Sequence, residues 1–376
     1  MTMDLETAGM LRDSAARYAA DHYSFLQRHA VLTDPAGYSE KAWHDYAELG
    51  WLALRLPEAH GGLDADPLAV GALMEVVGGR LLMEPVLASA LVGTGLVRSQ
   101  GSAAQQEALL PQLADGSVKL AFADAEPAGN QPCQVRAGRI SGHKIAVLHG
   151  DVADGLIVSA ADADHGGEKR LFLVDMHSAE IEAQRYRLVD GRGAANLHFA
   201  GVPAERLDSA DGMSTEAAVA DVLDHATVAS CAEALGIVRA LVATTCDYLK
   251  IRKQFGRAIG TNQALQHRAV DMFLLQEEIA ALTRAAQDAL GLPAAERARI
   301  VSGAKAYICT AARKIANEAV QMHGGLGITD ELDVSHYFRR LMVNAALFGS
   351  RDEHFARFLA ATAHPTAHPH PEGIPA

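Results

Sequence analysis

Apolar residues recur at helical spacing through the first part of the chain. Leu5, Leu11, Ala15 and Tyr18 mark one amphipathic stripe, and Trp43, Tyr46, Leu49 and Leu52 mark another. Gly50, Gly61 and Gly62 punctuate these stretches, and Gly101-Ser102 introduces a further helix that stops before Asp115-Gly116. The texture changes at Lys119. Short β-rich runs follow at Leu120–Ala123, 144–148, 156–159, 171–174 and 195–199, separated by glycines and aspartates, and the region closes near Val202-Pro203. That spacing predicts an antiparallel barrel or sandwich. From Ser214 the helical period returns. Val219, Leu223, Ala226, Leu235, Val238, Val242 and Leu249 define a long first helix. Leu265, Ala269, Met272 and Leu282 define a second, ended by Gly291 and Pro293, and Ile300 to Ala319 a third. Val334, Phe338, Leu341 and Ala345 define a fourth, with a short last helix at 354–361. Long alanine-rich helices with short connections predict a bundle. The expected domains are therefore 1–116, helical; 117–210, β; 211–363, a four-helix bundle; and a proline-broken, disordered tail at 364–376.

Composition narrows the partners. With 376 residues, 49% hydrophobic and 21% charged, the chain can bury several cores. A formal charge of -13 argues against nucleic acid or an anionic membrane, though one or two placed cations suffice for a nucleotide-like ligand. Cys133, Cys231, Cys246 and Cys309 are far apart and match no metal-ligand spacing, so buried thiols and no metal site are expected. The first residues are acidic and lack an apolar signal-like run, and no segment approaches an uninterrupted membrane span. A cytoplasmic location is the expectation.

Two segments carry the chemistry. Residues 248–263 read YLKIRKQFGRAIGTNQ, and residues 321–329 read QMHGGLGIT. The first is read as mid-helix, running into a loop that gathers Arg252, Phe255 and Gln263. The second ends a helix on Gly324-Gly325, leaving open backbone for a ligand. Arg252 offers a positive fork suited to a phosphate, and Phe255 a flat apolar face suited to an adenine. In this order and spacing the two segments resemble the flavin-binding motifs of the acyl-CoA dehydrogenase family. The domain order, helical, β, then four-helix bundle, resembles that family over nearly the whole chain.

The resemblance implies FAD lying between the β domain and the bundle, its adenosine end reaching a neighbouring subunit. It places Arg252 on the pyrophosphate, Gln254, Phe255 and Gln263 beside the adenosine half, and Gln321, Gly324 and Gly325 approaching it from the adjoining helix end. It also implies an acyl-CoA substrate, an electron-transfer flavoprotein-like acceptor, and a tetramer of self or with a homologous second subunit.

Elsewhere the family pattern is broken. A T-E-P-x-x-G run, whose threonine meets the flavin ring, is here Ala125-Glu126-Pro127-Ala128-Gly129. In the run Gly142-His143-Lys144-Ile145-Ala146-Val147-Leu148-His149, Ala146 replaces an aromatic ring and Leu148 a hydroxyl expected at the flavin N5 edge. Losing that hydrogen bond costs about 1 kcal/mol where water compensates. The carboxylate that usually precedes a G-T pair and removes the α-proton is Phe348, before Gly349-Ser350. The alternative base position on the first bundle helix holds Ala226, followed by Thr227 in place of an arginine.

Glu233, Asp352 and Glu353 remain as candidate bases. Against them, residues 350–353 also read as a capping box, and Glu233 as a buried partnered carboxylate. His225 and His323 are candidates for titration near neutrality. Phe348, Ala226 and Ser230 are the expected walls of an acyl pocket. The pattern is similar to the smaller, divergent subunits of two-component acyl-CoA dehydrogenases, including pimeloyl-CoA dehydrogenase small subunits. The preferred expectation is a heteromeric assembly in which this chain completes its partner's FAD site. A self-sufficient homotetramer with a relocated base and a non-catalytic scaffold are the alternatives.

Overall fold

The structure, a computed structural model, describes residues 5–208 and 212–363. The expected tail lies outside them. Six α-helices build the first domain: α1 (Leu5–His22), α2 (Phe25–Thr33), α3 (Glu40–Glu48), α4 (Pro67–Gly79), α5 (Thr94–Gln100) and α6 (Ala103–Ala114). Local chemistry sets their starts. Ser24, Ser39, Asp66 and Ser102 each accept a hydrogen bond from the backbone three residues on. Between α4 and α5, Val86–Gly93 forms a wholly buried π-helix that the periodicity did not announce. Its Ser89 hydroxyl accepts from the Leu120 amide at 3.1 Å and so ties the helical domain to the first strand. Leu49, expected on the buried stripe, is exposed, while Trp43, Tyr46 and Leu52 are buried.

The β domain contains β1 (Leu120–Ala123), β2 (Gln134–Arg136), β3 (Arg139–Leu148), β4 (Gly155–Asp162), β5 (Glu168–Asp175), β6 (Ile181–Arg187), β7 (Gly193–Pro203) and β8 (Glu205–Arg206). Its order is β6-β7-β3-β2-β4-β5-β8, with β1 beside β4. Most pairings are antiparallel as expected, but β1 and β2 both run parallel to β4. All five expected runs fall within strands; β2, β6 and β8 are additional.

The last domain comprises α7 (Thr215–Ile251), a hairpin of β9 (Lys253–Gln254) and β10 (Arg257–Ala258), α8 (Gln263–Asp288), α9 (Ala294–His323), α10 (Asp333–Asn344) and α11 (Arg351–Ala363). By length and composition α7 could cross a membrane, correcting the expectation that no segment could. Yet 83% of its apolar window is buried inside the protein, where it serves as the spine of the fold. Its Leu235 and Val238 enter the bundle core, Ala229 and Ala232 the helical-domain core, and Val222 and Ala226 a cluster with Leu96, Leu120 and Ile157 where all three domains meet. Of the cysteines, Cys246 is only partly buried and the other three are buried.

Candidate functional site

The two motif segments meet at one end of the bundle. Arg252 terminates α7 rather than standing mid-helix, its amide bonded to the Tyr248 carbonyl at 2.9 Å. The hairpin that follows turns through Phe255 and Gly256, at φ of 51° and 80°. A two-residue turn with both central residues at positive φ matches the right-handed strand twist but strains a non-glycine residue. The Phe255 ring is fully exposed, Gln254 is exposed in β9, and Gln263 opens α8. Across from them α9 ends at His323, whose ring stacks on Tyr248 with centroids 4.3 Å apart. The His323 Nδ1 faces the Ala319 carbonyl at 2.8 Å, so its ring is held in place by local contacts.

Gln321 is exposed in the last turn of α9. Gly324 has φ of 62°, and a Cβ on Gly324 or Gly325 would meet no atom within 4 Å. Among the described residues the Arg252 side chain has no hydrogen bond or ion pair. A free guanidinium, an uncovered aromatic face and bare backbone therefore share one surface.

On the β domain, the Ile145 amide donates to the Ala125 carbonyl at 2.9 Å, which brings the two altered runs together. Between Lys144 and Val147 the ladder with β7 is irregular. Exposed Ala146 sits there at φ of 52°, its amide donating to Asn196 Oδ1 at 3.0 Å. Below this surface Lys144 is buried and donates to Glu126 at 2.7 Å, the Asp124 carbonyl at 2.8 Å and Ser159 at 3.2 Å. The Glu126 carboxyl is held below its ordinary pKa against the cost of burial, chiefly by the Lys144 bond and the Cys133 amide.

The carboxylate candidates are occupied elsewhere. Glu233 is buried, with Oε1 receiving Arg340 Nη1 at 2.9 Å and Oε2 receiving Asn344 Nδ2 at 3.0 Å; Arg192 lies 3.6 Å away. Glu353 closes the capping box: its carboxylate accepts from the Ser350 amide at 2.7 Å, and its own amide donates to the Ser350 hydroxyl at 3.3 Å. These bonds hold its pKa below the usual value, making it a weaker base, although it borders a depression shared with Phe348 and Thr227. Asp352 is exposed on the first turn of α11.

Phe348, at φ of 60°, packs against the cluster containing Ala226. Its carbonyl accepts from His354 Nε2 at 3.1 Å, and burial followed by the charge of Lys305 pushes that histidine down to about 4. Phe348 and Ala226, which the resemblance sets at the base positions, are thus hydrocarbon in or against one apolar cluster.

A cavity of about 280 Å³ opens between the helical domain and α7, with Ala226 in its wall. The other two expected wall residues stand apart from it. Phe348 faces the separate depression, and buried Ser230 accepts from Lys305 Nζ at 3.0 Å. His225 does border the cavity, but burial and then neighbouring Arg55 push its pKa below the ordinary value, so it stays neutral near neutrality.

Comparison with known proteins decides the lineage. The acyl-CoA dehydrogenase N-terminal and C-terminal domain models match residues 6–117 and 216–361. This chain belongs to the acyl-CoA dehydrogenase family. Acyl-CoA dehydrogenase IpdE2 of Mycobacterium tuberculosis (strain ATCC 25618 / H37Rv) is 27% identical over 351 residues, 93% of this chain and 95% of that protein. An acyl-CoA dehydrogenase of Bacillus subtilis (strain 168) is 29% identical over 323 residues, covering 81% and 84%. Among solved structures, the Tcur3481-Tcur3483 steroid ACAD superposes with a TM-score of 0.84 at 28% identity, covering 95% of this chain and 98% of its own. The ChsE4-ChsE5 complex of Mycobacterium tuberculosis, at 21% identity and a TM-score of 0.84, shares the fold over 97% of this chain and 99% of its own.

The family's cofactor is FAD, and the residues present fit its two ends unequally. At the adenosine end the open glycine backbone and unpaired Arg252 suit a pyrophosphate. At the ring end, Ala125 and Leu148 supply no hydroxyl and Ala146 no ring. The features that reading the sequence missed are the Tyr248–His323 stack and the two arginines, Arg55 and Arg98, that border the cavity. Both depend on contacts between distant segments.

Proposed function

We propose that this chain is the subunit lacking the usual base in a heteromeric acyl-CoA dehydrogenase. It lends Arg252, Gln254, Phe255, Gln263 and the 321–325 segment to the adenosine end of an FAD whose ring and base contacts come from a homologous partner. The supporting observation is the asymmetry of the site. The adenosine-side groups lie uncovered on the surface, whereas Phe348 and Ala226 fill the base positions with hydrocarbon and Glu233 is locked between Arg340 and Asn344. The similar Tcur3481-Tcur3483 steroid ACAD and the ChsE4-ChsE5 complex are each named as a pair of proteins, in keeping with such an assembly. Held by these residues, FAD would supply the hydride-accepting chemistry for an acyl thioester, with an electron-transfer flavoprotein-like protein as the expected acceptor. This chain's contribution is to hold the dinucleotide tail. A cytoplasmic, tetrameric assembly belongs to the same proposal.

The test is to purify the chain alone and together with a co-encoded homologue, then measure flavin content and acyl-CoA oxidation. Flavin and turnover should require the pair, and Arg252→Ala in this chain should lower FAD affinity of the pair at least tenfold. Full FAD occupancy and brisk turnover by the isolated chain would return the reading to a self-sufficient enzyme. Unchanged flavin content in the Arg252→Ala pair would make the chain a scaffold.

A further inference from the structure

Two consecutive glycines, Gly324 and Gly325, give the end of α9 the most permissive backbone a chain can have. A Cβ on either would meet nothing within 4 Å, so no neighbour confines them on that side. Backbone amides that meet an anion bind it best when they already point the right way, because ordering them on binding costs affinity. The direction is therefore set by the residue that delivers the chain to Gly324. That residue is His323, the buried last residue of α9.

Its ring is fixed from two directions. Nδ1 donates to the Ala319 carbonyl, one turn back, at 2.8 Å. One face lies on the ring of Tyr248, with centroids 4.3 Å apart and planes 28° from parallel. The Tyr248 hydroxyl also points at the His323 carbonyl, at 3.5 Å, the outer limit of a hydrogen bond. Tyr248 has a second hold, on the other motif. Its own carbonyl accepts the Arg252 amide at 2.9 Å, the bond that ends α7. One half-buried tyrosine thus contacts the residue before the glycine pair and anchors the turn that carries Arg252.

We propose that Tyr248 and His323 are positioning residues, whose stack sets the spacing between the Arg252 guanidinium and the Gly324-Gly325 backbone and so presets the grip on the FAD pyrophosphate. Neither ring needs to touch the cofactor. The inference rests on the placement of the FAD tail proposed above.

Hydrogen exchange of the flavin-free full chain reads this device without the cofactor. Tyr248→Leu should speed exchange of the 321–329 peptide at least fivefold and leave the β domain unchanged. Tyr248→Phe keeps the stacked ring and should stay within twofold of the native chain. FAD titration of the assembled pair reads the consequence. Tyr248→Leu should weaken FAD at least fivefold, and ADP, which carries only the tail, by a similar factor; Tyr248→Phe should bind both like the native chain. Native FAD affinity in Tyr248→Leu, an equal loss in Tyr248→Phe, or a loss for FAD with ADP unchanged overturns the proposal. Arg252→Ala separates it from the reading beneath it. If Arg252→Ala loses affinity and Tyr248→Leu does not, only the role of the stack fails. If Arg252→Ala binds FAD like the native chain, the placement of the tail fails and takes the proposal with it.

Discussion

Buried charge is where individual residues decide most in this protein. Asp190 Oδ2 accepts a hydrogen bond from Arg192 Nε at 2.7 Å and is ion-paired with Arg340, whose Nε lies 3.1 Å away without a hydrogen bond, and Arg340 also reaches Glu233, so two acids and two arginines close a network between the β domain and the bundle. Such a set is tolerated because its charges balance; removing one member strands another. His149 is buried beside these arginines, and burial with the charges of Arg192 and Arg340 pushes it down to about 3. His354 is similarly lowered to about 4. Both imidazoles are neutral in the folded chain, whereas in the unfolded chain they protonate near 6.5. Below that pH the unfolded state therefore binds more protons, and stability falls as the pH drops towards 4. Two such protons correspond to a slope approaching about 2.7 kcal/mol per pH unit near pH 5. Urea midpoints measured from pH 7 to 5 should fall accordingly, and His354→Asn should remove about one proton from the slope. A flat profile would mean that these rings are charged in the native protein.

At the scale of elements, glycines set how closely helices cross. A Cβ at Gly236 of α7 would collide with the Glu75 carbonyl of α4, and one at Gly78 with the Glu233 carbonyl. Both partners are backbone, which cannot rotate aside. Gly236→Ala should therefore cost about 3 kcal/mol or more. Gly9, inside α1 with nothing within 4 Å of its Cβ position, gives the opposite sign: Gly9→Ala should stabilise by about 0.5–1 kcal/mol. Paired denaturation curves check both, and equal effects would show that helix propensity alone governs them. The same contrast explains what could be read from the sequence. The helix introduced at Ser102 and the capping box at 350–353 were legible because their chemistry lies within four residues. Phe348 and Ala226 could be set at the expected base positions by counting from the motifs. Strand β6 was not, since IEAQRYR is only half-buried or exposed and carries no apolar alternation. Nor was the role of Asp190, Arg192 and Arg340: a lone charge carries no local mark distinguishing burial from solvation.

For the whole molecule, the unfinished surface lies along α8. Only Met272, Ile279, Thr283, Ala286 and Gln287 of this helix are fully buried, while Val270, Phe273 and Leu274 are each about half exposed. The helix follows the Phe255 hairpin after a single 3-10 turn at Ile259–Thr261, so the apolar face and the uncovered adenosine-side groups lie on neighbouring segments. Apolar side chains left this way favour burial against another chain, at roughly 25 cal/mol per Å² removed from water. If one contact both joins subunits and covers the flavin tail, association and cofactor retention must fail together. Phe273→Asp with Leu274→Asp should weaken assembly at least tenfold in sedimentation equilibrium and release flavin in parallel. Because both side chains are exposed, the helical circular dichroism should be preserved. An assembly that kept its mass and its flavin after these substitutions would place the subunit contact on another face and separate it from the cofactor.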